Sequence, residues 1–434
     1  MIKGISFFGI FGFLISGISV ASANSYDLSF GNDYVRSGSQ YYEQGLVWAQ
    51  WYMNLQKNDD YWVWKKPKLE NYGILYHTDD DSIPAYIEYK ITCGNSDCGS
   101  VVVNLDNTDA RVPEGATFWK PNYENLQTGT KSKKVRLYRF GLLEQYIVGD
   151  NNLEVKSLDP KEVITSYDKI SVFKNRVHDY KQANPNKQQA TVPVDMTAQA
   201  NVAAWMISPL SITATNVYIP WVSTVNCPSR TPCYAQFQDT YAGSTCYLWC
   251  SPDALSIIYG YYDRQWTYPN LISGVAVDIS NTWNPVGTFF WVNAVIKTMA
   301  NSIRTQLATS CISWQGGTIQ SNIQYWIQYA KNMGYSTATS SYWTIANPSV
   351  TRTIVKWEVD AWRPVILSST WPNQGHSFVA YWYSSDISST MIRVNYGLTV
   401  NQDTSYFWRD VDAASVSLPA VWWAFSAYTK IKIQ

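Results

Sequence analysis

Apolar residues recur at helical spacing after Ser251-Pro252. Ala254, Ile257, Ile258, Tyr261 and Tyr262 would share one face, which predicts a helix beginning at Cys250. Pro252 suits its first turn, where the missing N–H costs nothing. Helical spacing also marks residues 41–55, 291–308, 317–334 and 352–362. In 317–334, Ile319, Ile323, Trp326, Ile327 and Ala330 form the apolar face and Gly334 the stop. Short runs rich in Tyr, Val and Ile predict strands at 73–77, 85–93, 100–105 and 134–140. Others fall at 364–369, 376–383, 391–397 and 421–433. Residues 180–215 lose this patterning and are polar, with Gln, Asn, Ala and Pro, as a connection would be. The pattern predicts an α+β chain. A small α+β domain (24–180) and a linker (181–216) precede a second domain (217–434) of helices packed on an antiparallel sheet.

Composition narrows the partners. The 434 residues carry no formal net charge and only 15% are charged, so nothing in the charge points to a nucleic-acid or acidic-polymer partner and none is expected. Lys3, an apolar run over 5–20 and Ala21-Ser22-Ala23 read as a secretory signal peptide, residues 1–23. The rival reading is an uncleaved anchor, for which the run is short. The expected product is soluble after signal cleavage and secreted to the extracellular side, with a periplasmic or cell-surface location as the variants. Asp79-Asp80-Asp81 reads as an exposed acidic turn, and Lys131, Lys133, Lys134 and Arg136 as a solvated hairpin.

Seven cysteines in an exported chain leave one unpaired. The most economical pairing is Cys93–Cys98, Cys227–Cys233 and Cys246–Cys311, although sequence does not fix connectivity. It leaves Cys250, at a helix N-terminus whose partial positive charge favours a thiolate. His376 is the one histidine of the second domain. If Cys250 is a nucleophile with a base in its own domain, His376 is that base. The next strand carries Asn395, which a hairpin would lay beside His376 as the group that orients the imidazole. The Cys250 N–H and either Gln236 or Gln238 are candidate donors to an oxyanion. This chemistry calls for no metal and no organic cofactor.

These residues carry a resemblance. Cys250-Ser251-Pro252 followed by a helix with Tyr261-Tyr262 resembles the active-site helix of papain-like cysteine peptidases, above all the bacteriocin-leader-peptidase-like group. The segment EVDAWRPVILSSTWPNQGHSFVAYWY resembles the later part of that group and of the streptopain-like peptidases. Asn395-Tyr396-Gly397 resembles their Asn-bearing strand, with Tyr where streptopain-like enzymes have Trp. The resemblance spans about 217–434 in the order Gln, Cys, His, Asn. It implies a papain-like catalytic domain with Cys250 as nucleophile, His376 as general base and acid, Asn395 as orienter, and Gln236 or Gln238 as oxyanion donor. It also implies a disulfide role for Cys246, the exchange of Cys246 and Cys250 being the alternative. Shielding of the His–Asn pair would fall to Trp408, Trp422 or Trp423. The first domain resembles a streptopain-like pro-segment, an intramolecular cover, or else is an accessory domain. The implied function is a secreted cysteine peptidase made as a latent precursor and acting on peptide or protein substrates. The rivals are an amidase or acyltransferase on the same fold, and a catalytically inactive binding protein.

Overall fold

The computed structural model describes residues 40–57, 66–78, 84–106, 108–117, 121, 135–142, 144–149, 155–157, 168–183, 215–218, 238–241, 244–247, 250–263, 267–268, 271–272, 294–312, 315–318, 322, 325–370, 375–385, 390–395, 408–417, 422–423 and 425–433. The signal segment, Asp79-Asp80-Asp81, the three lysines of the basic run, Cys227, Cys233 and Gln236 lie outside them, as does most of the expected linker. Among the described residues no helix is long and apolar enough to cross a membrane.

The protein is α+β, with six described helices and one large, mostly antiparallel sheet. In the N-terminal half, α1 (Gln40–Lys57) precedes β1 (Pro67–Tyr76), β2 (Tyr86–Cys93), β3 (Ser96–Asn104), β4 (Glu114–Thr117), β5 (Val135–Arg139), β6 (Gln145–Gly149) and β7 (Val155–Ser157). Helix α2 (Asp168–Ala183) closes this half. The C-terminal half begins with β8 (Thr215–Tyr218), β9 (Gln238–Tyr241), β10 (Ser244–Tyr247), α3 (Cys250–Asp263) and α4 (Ala294–Gln306). It continues with β11 (Ser310–Ile312), β12 (Gln315–Gly317), α5 (Gln328–Asn332), β13 (Thr339–Thr344) and α6 (Pro348–Asp360). Last come β14 (Val365–Thr370), β15 (Gly375–Ser385), β16 (Thr390–Asn395), β17 (Trp408–Asp412), β18 (Val416–Ser417), β19 (Trp422–Trp423) and β20 (Ala427–Lys432).

The main sheet has 14 strands in the order β13-β20-β14-β15-β16-β17-β4-β3-β2-β1-β5-β6-β7, with β8 beside β15. It runs through both halves. They meet where β17 pairs antiparallel with β4, Asp410 opposite Gly115 and Val411 opposite Glu114. A Cβ on Gly115 would stand 2.3 Å from the Tyr52 ring, so glycine at that site lets α1 lie directly on β4. The β2–β3 hairpin turns at Gly94, whose φ of +67° suits glycine, and the expected Cys93–Cys98 disulfide bridges it.

Two expectations need correction. Residues 317–334 do not form one helix: β12 occupies the start, and α5 spans only Gln328–Asn332. Tertiary contacts prevail here. Asn322 Nδ2 donates to the Leu307 carbonyl at 3.0 Å, and the Tyr259 hydroxyl of α3 donates to the Trp326 carbonyl. Gly334, at φ +101°, does end the element. The second correction concerns Arg136, which is half-buried rather than solvated. Its guanidinium carbon lies 3.9 Å from the Tyr76 ring centroid, a packing that gains more when shielded from water.

In the N-terminal half, Asp106 is almost fully buried. One carboxylate oxygen lies 3.2 Å from His77 Nδ1 and 3.4 Å from Lys181 Nζ of α2. The other accepts from Thr108 N–H and Asn104 Nδ2. Burial opposes ionisation, but His77, Lys181 and the Thr108 hydroxyl outweigh it and hold the carboxyl well below the ordinary range. A folded-state pKa below the unfolded one gives stability that is full above about pH 4 and lost as pH falls through the folded value. In urea titrations, Asp106→Asn is therefore expected to be less stable than wild type at pH 6. The gap should narrow steadily toward pH 2, and a constant gap would refute the linkage.

Candidate active site

Helix α3 begins at Cys250 with Pro252 in its first turn, as the sequence predicts. Every residue from Ser251 to Asp263 is buried, which accounts for the dense apolar run. Tyrosine hydroxyls fix the helix at its far end: Tyr261 donates to the Trp362 carbonyl at 2.8 Å and Tyr262 to the Ile431 carbonyl at 2.9 Å. The near end of the helix is held against β15 by Cys250 and Ser251.

Cys250 is half-buried and forms no disulfide among the described residues. The thiol donates to the carbonyl of Gly375 at 3.7 Å. Ser251 and Ser377 share a hydrogen bond of 3.0 Å. These two contacts fall on either side of His376 in sequence, so the helix tip is registered on β15 around that residue. A thiol hydrogen facing a carbonyl is a contact of the neutral sulfur. Attack on a substrate requires the sulfur to turn away from that oxygen. Asp253, buried in the same first turn, also places a carboxylate at the helix's positive end.

His376 is buried beside Phe378, with ring centroids 4.6 Å apart and edge-on. Phe378 in turn packs on Phe425 at 5.6 Å. On β14 the residue opposite His376 is Ser369. Asn395 ends β16 and is buried, but the ladder sets it opposite Val379. The hairpin therefore does not lay Asn395 beside His376. Three strand positions separate their levels, about 10 Å along the strand. One extra residue on β15, Tyr381, shifts the register here. Trp408 is opposite Asn395 on β17. Gln238 opens β9 opposite Tyr247, the last residue of β10 and three before Cys250. Cys246 and Cys311 lie on β10 and β11. Trp422 and Trp423 form β19.

Ser251 and Ser377 were not among the expected site residues. The signal for them was adjacency: each directly follows a candidate catalytic residue. Among the described residues no cluster of three or more His, Cys, Asp or Glu side chains is placed to hold a metal ion.

No protein-family model matches the sequence, and no curated protein matches it. A solved fragment of Prevotella intermedia prointerpain A is similar at 13% identity, covering 84% of this chain and 98% of that one, with a TM-score of 0.43.

Proposed function

We propose that this protein is a cysteine peptidase of papain-like architecture, exported by its N-terminal signal and made as a latent precursor. The observation that supports this reading is the seating of the Cys250 sulfur on the carbonyl of Gly375, directly before His376. In the proposed mechanism the sulfur passes its proton to His376 and attacks a peptide carbonyl. The Cys250 N–H at the helix start and Gln236 or Gln238 receive the oxyanion. His376 protonates the leaving amine, then activates the water that releases the acyl group.

The test is a peptidyl thiol-reactive probe whose adduct is mapped by mass spectrometry. One equivalent on Cys250, with parallel loss of casein hydrolysis, is the expected result. A labelled Cys250 with hydrolysis unimpaired would refute the reading.

A second reading is favoured by the exposed indoles Trp343, Trp357 and Trp362, which are 58%, 63% and 61% accessible. On this reading the domain is a binding module and its cysteine is inert. Titration of the native protein then finds no thiol that reacts faster than free cysteine.

A further inference from the structure

We infer that the N-terminal half is a permanent part of the folded protein. Cutting the 184–214 connection leaves two fragments joined in one sheet. The inference does not depend on the peptidase reading.

The join is more than strand pairing. Asp410, on β17, is 1% exposed and has donors from both halves. Arg393 on β16 reaches it with Nε at 2.6 Å and Nη2 at 3.1 Å. From α1 of the other half, the Tyr52 hydroxyl donates at 2.7 Å and Gln56 Nε2 at 2.9 Å. Gln56 Oε1 also accepts from Arg393 Nη2 at 3.0 Å. All four side chains are buried, so separation would leave a buried ion pair short of three hydrogen bonds.

The seam strand is also anchored from behind. Glu114 of β4 is buried and accepts from Arg139 Nη1 at 2.7 Å and from Gln145 Nε2 at 3.2 Å. Peeling β4 away with the C-terminal half would strand that carboxylate. Peeling it away with its own half would strip Asp410 of Tyr52 and Gln56. Beyond the strands, Asp412 N–H donates to the Pro113 carbonyl at 3.2 Å, and the Ser415 hydroxyl donates to Asp109 at 3.4 Å. Among the described residues no easy plane of separation runs between the halves. Any relief of latency therefore takes place within a two-part protein rather than by loss of one part.

The experiment uses the full chain with Cys250→Ala, so that no self-digestion intervenes. A site for a sequence-specific protease is inserted between Gln199 and Ala200, and in a second version between Gln188 and Gln189. After complete cutting, shown on a denaturing gel, native gel filtration is expected to give one peak unshifted from the uncut protein. Two separated fragments under native conditions, from either version, would overturn the inference. In the cut protein, Tyr52→Phe with Gln56→Ala is expected to part at a lower urea concentration than the parent. Equal midpoints would overturn the assignment of the join to the Asp410 network. Neither result turns on whether Cys250 is a nucleophile, so the two proposals fail separately.

Discussion

Replacing Cys250 with alanine is expected to abolish peptide hydrolysis, a fall of about 10⁴-fold or more in kcat/KM, of the size seen when a nucleophile is removed from a catalytic group. It should also abolish labelling by a peptidyl probe. The fold should survive. The side chain is half-buried, and its sulfur contact, at 3.7 Å to a carbonyl, is weak. The tip of α3 keeps its Ser251–Ser377 hydrogen bond and its tyrosine anchors. Unchanged circular dichroism with lost turnover would thus separate chemistry from stability. His376→Ala is the companion variant: it should lose hydrolysis by about 10²- to 10⁴-fold, the usual share of a general acid–base group, while Cys250 is still present to alkylate. Wild-type turnover in Cys250→Ala would end the peptidase proposal outright.

The second large effect is on stability. Asp410→Ala removes one member of a buried ion pair and leaves the Arg393 guanidinium enclosed, 4.5 Å from the Trp382 ring centroid. Breaking such a pair from one side costs about 3–5 kcal/mol. That is a large part of the roughly 5–15 kcal/mol by which a domain is usually stable. The loss should appear as a lower urea midpoint, followed by tryptophan fluorescence. Asp410→Asn keeps the shape and one acceptor and should cost less. Arg393→Met with Asp410→Leu should cost less than Asp410→Ala, because no charge is then left unpaired. A double variant as unstable as the sum of its singles would show that the pair is not coupled.

Much of this architecture was legible in the sequence. The helix at Cys250 announced itself through Pro252 and the spacing of Ala254, Ile257 and Ile258. The strand at 376–383 did so through an apolar run bounded by turn residues. The apolar spacing at 352–362 starts helix α6 late, because the cap lies upstream of it: Asn347 Oδ1 accepts from the N–H groups of Ser349 and Val350, and Pro348 follows it. Helix α2 is hard to read from the sequence, although Ile170, Phe173 and Val177 sit at helical spacing and are buried. Its low overall hydrophobicity hid a narrow apolar stripe among charges. The register of Asn395 was not legible. It depends on the bulge at Tyr381, and a run that is apolar on both faces has no alternation to reveal one. Nor was the seam. Tyr52, Gln56, Arg393 and Asp410 look like ordinary surface residues until β17 and β4 pair, and no local pattern links positions so far apart. A cue did exist: Arg393 stands inside MIRVN, a strand otherwise too apolar to face water.

The union of β4 with β17 also sets an order of events during synthesis. Strand β4 is finished once residue 117 has been made, yet its partner spans 408–412. Residues 408–412 must be made before the first half gains its neighbour. Until then one border of its sheet offers unpaired N–H and C=O groups to any passing strand. Newly made chains are thus most prone to aggregate before residues 408–412 arrive.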